Sequence, residues 1–142
     1  MTNFKEYLQE RLKNNHFINH MGLVLEDVEK GEAALSLTVE KHHLQQNGFT
    51  HGGVTATLCD VATGIAAYTA VAEGKNVVTV DLKISYLNPS VAQKVMAVGR
   101  VVKSGNLLVF CEGEVYDLLA DGSRKIVATC TSIMAAVDIP VQ

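Results

Sequence analysis

A stretch of nineteen residues, 54–72, carries one charged side chain, Asp60. Its length would suffice to span a membrane. However, alanine is its commonest apolar residue and it includes four threonines, so little would offset the cost of an aspartate in the lipid core, about 2.5 to 3.5 kcal/mol. The stretch therefore predicts a helix buried in the core of a soluble domain, and we expect no membrane span.

Alternating apolar and polar residues predict β-strands on both sides of this helix. Residues 23–25 and 32–40 alternate with a period of two, and Lys30-Gly31 between them has the composition of a turn, so we expect a hairpin. Four further stretches, rich in β-branched residues and separated by turn residues, cover residues 77–87, 91–103, 107–118 and 125–137. Because the turns are short, these four strands predict one antiparallel meander.

The remaining segments predict where the helices begin and end. Residues 3–15 place apolar side chains at helical spacing among Glu and Lys, which predicts an amphipathic helix in an N-terminal segment, residues 1–18. Gly74 follows the long helix and is predicted to cap its carboxyl end. Residues 41–50 are polar and predict a loop that leads into the helix.

This order of elements predicts an α+β fold. A helix that is apolar on nearly all sides must be covered, and a sheet curled around it would cover it. Unpaired strands at the sheet edges would favour pairing with a second copy of the chain. No repeat and no change of composition divides the 142 residues, so we expect one domain over residues 1–142.

Charge and cysteine content exclude several functions. The net charge of −3 is far from the basic balance of a nucleic-acid-binding surface, so we expect no nucleic-acid partner. Three cysteines without a CxxC pair, and an N-terminus without an apolar leader, predict a protein of the reducing cytoplasm. His16 and His20 are four residues apart but lack a third ligand nearby, while His42 and His43 would point to opposite sides of a strand. We therefore expect no metal and no cofactor.

The informative motif is His51-Gly52-Gly53 at the predicted start of the long helix, followed by Asp60. Glycines at a helix start leave backbone N–H groups accessible, and these groups favour a negatively charged oxygen. The alternative is that the glycines only allow the helix to pack closely on the sheet. Asp60 must be paired, be neutralised or face a cleft, because an unpartnered buried carboxylate is costly. Here the alternative is a purely structural aspartate that is hydrogen-bonded to a loop.

A family resemblance rests on two segments of the chain. The residues that carry it are Gln45…Gly48-Phe49-Thr50-His51-Gly52-Gly53…Leu58-Cys59-Asp60…Gly64 and Val80-Asp81-Leu82…Tyr86-Leu87…Pro89. Over roughly residues 20–137 the sequence resembles the hotdog-fold acyl-CoA thioesterases of the PaaI-like, phenylacetate-pathway group. The resemblance implies a long central helix wrapped by an antiparallel sheet. It also implies cofactor-free hydrolysis of an acyl- or aryl-CoA to the free acid and coenzyme A.

The resemblance also implies roles for individual residues. Asp60 would act as general base or nucleophile, and the Gly52 N–H, helped by Gly53, would polarise the thioester carbonyl. His51 would hold the loop in place. Thr79 would position the attacking water.

Gln45 stands where the family commonly has an asparagine that contacts the thioester, and the nearest asparagine in this chain is Asn47. The family's dimers join two sheets edge to edge and usually pair again into tetramers. In that arrangement Gln45 and Gly52 of one chain would meet Asp60 and Thr79 of the other.

Three questions stay open at the level of the sequence. Arg100 and Lys103 are candidates for contact with the phosphates of coenzyme A, although basic residues of this kind more often belong to a solvated surface. The chain could instead be a non-catalytic acyl-ligand module, or a hotdog enoyl-CoA hydratase or dehydratase. The acyl group itself is not specified, because Ala, Val and Leu fit aryl and aliphatic groups alike.

Overall fold

Six antiparallel strands curl around one long helix in the structure, a computed structural model that describes residues 3–138. The helices are α1 (Phe4–Leu12), α2 (His16–Met21) and α3 (Gly52–Ala70), with a short 3-10 turn at Lys41–His43. The strands are β1 (Leu23–Glu29), β2 (Glu32–Thr38), β3 (Asn76–Tyr86), β4 (Lys94–Ser104), β5 (Leu108–Leu118) and β6 (Arg124–Val137). Helix α3 contacts all six strands, so the predicted α+β arrangement is confirmed. No helix of residues 3–138 is both long enough and apolar enough to cross a membrane.

The strand order β1-β2-β4-β5-β6-β3 corrects one prediction. The β1–β2 hairpin forms as expected, and β4, β5 and β6 form a meander. Strand β3, however, pairs with β6 at the far edge and not with β4. A turn sequence shows that the chain reverses but does not show which strand it joins. Residues 87–93 therefore connect β3, at the edge of the sheet, to β4 in its interior.

Two helix boundaries also differ from the predictions. The N-terminal segment forms two helices where one was expected, because Asn15 interrupts it and caps α2 by accepting the Ile18 N–H at 3.0 Å. Helix α3 ends at Ala70 with an extended Val71 as its C-cap. Gly74, at φ +83°, instead belongs to the turn that leads into β3.

Glycines in the sheet allow α3 to lie directly against it. Gly99 of β4 and Gly113 of β5 are paired across the ladder. A Cβ on Gly99 would lie 2.4 Å from the carbonyl carbon of Ala62 in α3, and one on Gly113 would lie 3.4 Å from Cγ2 of Thr63 in α3. The middle of α3 is thereby held in one position over the sheet.

Candidate active site

Asp60 of α3 and Thr79 of β3 contact each other in the structure. Asp60 is half-buried in the middle of α3, and the Thr79 hydroxyl donates a hydrogen bond to its Oδ1 at 2.7 Å. The register of β3 against β6 shifts between Thr79 and Asp81, which leaves Val80 without a partner in the ladder. Such a bulge can redirect neighbouring side chains. One chain therefore supplies a complete carboxylate–hydroxyl pair.

A groove of about 660 Å³ opens beside this pair. Its floor is one face of α3, and its walls come from β3, β6 and the two N-terminal helices. Among its lining residues are Leu8, Arg11, Asp60, Gly64, Tyr68, Thr79 and Met134. The Asp60 carboxylate therefore borders a space that is large enough for a small organic group.

Gly52, at the start of α3, presents a different chemistry. His51 is the N-cap, and its Nδ1 accepts the Gly53 N–H at 2.8 Å. Since Nδ1 is the acceptor, the proton of a neutral His51 ring lies on Nε2. The Gly52 N–H has no acceptor within residues 3–138. The Gly52 N–H is therefore available to a ligand oxygen, whereas the Gly53 N–H, expected to help it, is already engaged.

The loop before α3 is held by backbone hydrogen bonds. The Gln45 N–H donates to the Phe49 carbonyl at 2.9 Å, and the His51 N–H donates to the His43 carbonyl at 2.8 Å. The Gln45 Oε1 accepts the Asn47 N–H, so these two predicted site residues contact each other inside the loop. The loop thus fixes the position of Gly52 relative to the helix.

A second cavity, of about 320 Å³, borders Gly52 and Gln45. Tyr86 lines it too, and its hydroxyl donates to the Gly52 carbonyl at 2.7 Å. Thr50 is a further lining residue, and its buried Oγ1 has no hydrogen-bond partner within residues 3–138. The groove beside Asp60 and this cavity share no lining residue.

Gly52 and Asp60 are far apart within one chain. They lie eight residues apart on α3, and at 1.5 Å per residue this is about 12 Å along the helix axis. A carbonyl oxygen bound to one and a water bound to the other must both lie near one carbon atom, within about 3 Å. The two groups of a single chain therefore cannot act on the same thioester.

The two basic candidates lie away from both cavities. The Arg100 guanidinium donates to Glu114 at 2.6 and 2.7 Å and to Glu112 at 3.0 Å. The Glu114 hydrogen bond contributes most to raising the pKa of Arg100 above its usual value. Lys103 is exposed near the end of β4. Arg100 thus already has two carboxylate partners, which compete with any phosphate.

The histidines are dispersed or structurally engaged. His42 and His43 lie in the 3-10 turn and not on a strand, and their ring centroids are 4.0 Å apart, so the expectation of opposite orientations is wrong. His43 is buried, its Nδ1 accepting the Glu40 N–H and its Nε2 bonded to the Met21 carbonyl. Within residues 3–138 no group of three or more His, Cys, Asp or Glu could hold a metal ion.

Cys59 is the nucleophilic side chain nearest to Asp60 in sequence. Its hydrogen bond with Cys130 raises its pKa well above the usual value, and burial acts in the same direction. A neutral thiol is a poor nucleophile. Cys59 is buried and therefore belongs to the core.

Tyr86 and Asp117 have contacts that the sequence did not predict. Asp117 is fully buried and accepts hydrogen bonds from the Ser90 hydroxyl at 2.6 Å and from the Val91 N–H at 2.8 Å. Its position on β5 in alternation with Val109, Cys111 and Val115, which face the core, was the only signal for it. Tyr86 lies in the segment that carries the resemblance, but nothing in its spacing pointed to Gly52.

Comparison with known proteins identifies the family. The sequence profile of the Thioesterase superfamily matches residues 47–118, just over half of the chain. The chain belongs to the thioesterase superfamily. The matched segment contains Gly52, Asp60 and Thr79, whereas Gln45 lies just before it.

Sequence relatives of this thioesterase-superfamily chain carry related names. A protein of Halobacterium salinarum that is named as an esterase is 33% identical over 88 residues, 58% of each chain. This chain thus spans little more than half the length of that relative. Human acyl-coenzyme A thioesterase 13 is 28% identical over 126 residues, 87% of each chain.

Solved structures confirm the hotdog fold. A thioesterase family protein from Silicibacter pomeroyi superposes with a TM-score of 0.89 at 26% identity, covering 96% of this chain and 99% of that one. The E. coli PaaI protein from the phenylacetic acid degradation operon superposes with a TM-score of 0.80 at 21% identity, covering 92% and 90%. The resemblance to the PaaI-like group is thereby confirmed at the level of the fold.

Proposed function

We propose that this chain hydrolyses an acyl-coenzyme A thioester to the free acid and coenzyme A. The observation that carries the proposal is the Asp60 carboxylate, which lines the groove and accepts a hydrogen bond from Thr79 at 2.7 Å. Membership of the thioesterase superfamily and the similarity to a human acyl-coenzyme A thioesterase support the thioester as the bond that is cleaved.

Asp60 acts in this proposal as a general base. Its Oδ1 accepts the Thr79 hydroxyl, which leaves Oδ2 to take a proton from water. The water oxygen bonds to the carbonyl carbon, and the resulting tetrahedral intermediate expels the sulfur as the C–S bond breaks. The proton on Asp60 then passes to the departing thiolate, so that the acid and the free thiol are the products. Thr79 orients the carboxylate toward this water.

The carbonyl oxygen is stabilised by Gly52 of a second copy of the chain. The Gly52 N–H lies at the amino end of α3, where the helix dipole favours negative charge. Because Gly52 and Asp60 of one chain are about 12 Å apart along the helix, the partner for Asp60 must come from another protomer. His51, Gln45 and Asn47 keep the Gly52 loop in position, and the Gln45 amide is the side chain that the family resemblance places against the thioester.

The exposed edge of β3 is the surface on which the second copy would bind. Within residues 3–138, strand β3 has a neighbour on one side only, β6. Val78 and Val80 on it are 44% and 59% exposed, which is unusual for valines within a long strand. Antiparallel pairing of two β3 strands would cover these valines and form one continuous sheet. We propose a dimer of this kind, paired again into a tetramer, in the reducing cytoplasm, where the three buried cysteines stay free.

Release of free thiol from acyl-CoA tests the activity directly. A panel of aryl-, short-chain and long-chain acyl-CoAs should include at least one that yields free coenzyme A, and Asp60→Asn should abolish most of that release. A purified, folded protein that binds acyl-CoA but releases no thiol would be a binding module. An absorbance change of an enoyl thioester without thiol release would instead indicate a hydratase or dehydratase.

A further inference from the structure

The floor of the groove beside Asp60 is a row of residues on α3. Asp60, Gly64 and Tyr68 follow one another at intervals of four residues, and all three line the groove. Residues at this spacing lie above one another on a helix surface. At 1.5 Å per residue the row extends about 12 Å from the carboxylate to the tyrosine. The groove is therefore long enough for a chain laid along the helix.

The middle of this row is open and apolar. Gly64 has no side chain, and a Cβ placed on it would meet only the Met134 Cε, at 3.7 Å. Glycine is less favourable than alanine inside a helix. Leu8 of α1 and Ile65 of α3 line the same part of the groove. The absence of a side chain at Gly64 therefore leaves room in the groove for an apolar chain. The glycine is retained although alanine would stabilise the helix at this position.

The far end of the groove carries an unpaired positive charge. The Arg11 guanidinium lies 4.9 Å from the centroid of the Tyr68 ring, and the Tyr68 hydroxyl lies 3.5 Å from that of Tyr7. Within residues 3–138 the Arg11 side chain forms no ion pair and no hydrogen bond. Asn14 and His16 also line the groove. The end of the groove at Tyr68 therefore carries a positive charge.

The groove thus separates two opposite charges. Among the residues of 3–138 that line it, Asp60 is the one carboxylate and Arg11 the one permanently charged cation. Building on the proposed thioester hydrolysis, we infer that the groove selects acyl groups with an apolar body and a terminal carboxylate, that is, mono-CoA thioesters of dicarboxylic acids. The thioester lies at Asp60, the apolar body passes Gly64, and the terminal carboxylate binds the Arg11 guanidinium, which can offer it two parallel N–H donors.

Paired substrates of equal length test this selectivity. Glutaryl-, adipyl- and suberyl-CoA are each compared with valeryl-, hexanoyl- and octanoyl-CoA by thiol release. In the unmodified chain kcat/KM should be higher for the carboxylate-bearing member of at least the suberyl–octanoyl pair. Arg11→Gln should lower kcat/KM for suberyl-CoA about five- to tenfold relative to octanoyl-CoA, the scale of one ordinary hydrogen bond, because Arg11 is exposed to solvent.

Lys13→Gln is the matched control. It removes the same charge just beyond α1, but Lys13 is exposed, pairs with Glu10 and does not line the groove. This variant should keep the selectivity for suberyl-CoA. Equal activity on both members of each pair, or an equal loss on both in Arg11→Gln, would overturn the inference while leaving thioester hydrolysis intact. Absence of thiol release from every acyl-CoA would overturn the proposed function and this inference with it.

Gly64→Ala tests the path of the chain independently of charge. The new Cβ would narrow the middle of the groove without meeting backbone, so the variant should fold and should melt at a higher temperature. We expect kcat/KM for octanoyl- and suberyl-CoA to fall several-fold while acetyl-CoA, which is too short to reach Gly64, is hydrolysed as before. An unchanged profile over all chain lengths would show that the acyl chain does not run along α3.

Discussion

The two halves of the proposed site are built in different ways. Asp60 and Thr79 project from the middle of α3 and from a strand, and one hydrogen bond of 2.7 Å joins them. Gly52 stands at the junction of a loop and a helix, and it contributes a backbone group and no side chain. The carboxylate half, Asp60 with Thr79, is held in place by regular secondary structure. The position of the donor half, the Gly52 N–H, depends instead on how one loop is anchored.

A buried carboxylate anchors that loop. Asp117 binds the Ser90 hydroxyl at 2.6 Å and the Val91 N–H at 2.8 Å, and the Ser90 carbonyl accepts the Thr50 N–H at 3.0 Å. Thr50 is two residues before Gly52. The connection between β3 and β4 therefore holds the loop before Gly52 in position through hydrogen bonds. The carboxylate half is held by α3, which packs on the glycines of the sheet.

Removal of the charge from the carboxylate half should have the largest effect. Asp60→Asn keeps the shape of the side chain but cannot take a proton from water at neutral pH, so turnover should fall by roughly 10² to 10⁴. Thiol release and a thermal melt measure activity and folding side by side. Asp27→Asn, on the exposed surface of β1, is the matched control and should keep full activity. A folded, fully active Asp60→Asn protein would contradict the mechanism.

A substitution that blocks the Gly52 N–H should lower kcat somewhat less than Asp60→Asn does. A Cβ on Gly52 would lie 3.4 Å from the Tyr86 hydroxyl, an ordinary contact, so Gly52→Ala should fold normally. The same Cβ would stand where a carbonyl oxygen approaches, and we expect a loss of about 10² to 10³ in kcat, typical of a missing oxyanion donor. If this variant retains full activity, the glycine serves packing only.

Mixing the two variants tests whether the halves belong to different chains. In a shared site, a dimer of one Asp60→Asn and one Gly52→Ala chain has one doubly altered site and one unaltered site. Random pairing of equal amounts makes half the dimers mixed, so activity should rise to about a quarter of the unmodified level.

The mixing experiment needs proof that mixed dimers exist. Co-expression or joint refolding prepares them, and native mass spectrometry can count them. If Asp60 and Gly52 of the same chain acted together, every site would contain one of the two substitutions. Activity would then stay at the level of the single variants. Mixed dimers without recovery would therefore rule out the shared site.

The comparison of the halves also shows what the sequence can predict. The α3 segment and the position of Asp60 followed from local patterns, since apolar spacing and a lone charge in an apolar run are local properties. The pairing of β3 with β6 could not be predicted in this way, because strand pairing depends on residues that are distant in sequence. The roles of Tyr86 and Asp117 were missed for the same reason: each acts through a backbone group of a segment far along the chain.

The smallest expected effect concerns the support of the donor half by Tyr86. Its hydroxyl donates to the Gly52 carbonyl at 2.7 Å, and burial raises its pKa above the usual value, so it stays protonated and able to donate throughout the neutral range. Tyr86→Phe should lower kcat by about three- to tenfold, the scale of one hydrogen bond, with little change in KM. Tyr116→Phe removes a hydroxyl from β5 that has no hydrogen-bond partner in residues 3–138, and it should have no effect.

Since Tyr86 acts only through Gly52, its removal should add little to the loss caused by Gly52→Ala. Fully multiplicative losses in the double variant would show that Tyr86 contacts the substrate by itself, and the donor half would then include a side chain after all.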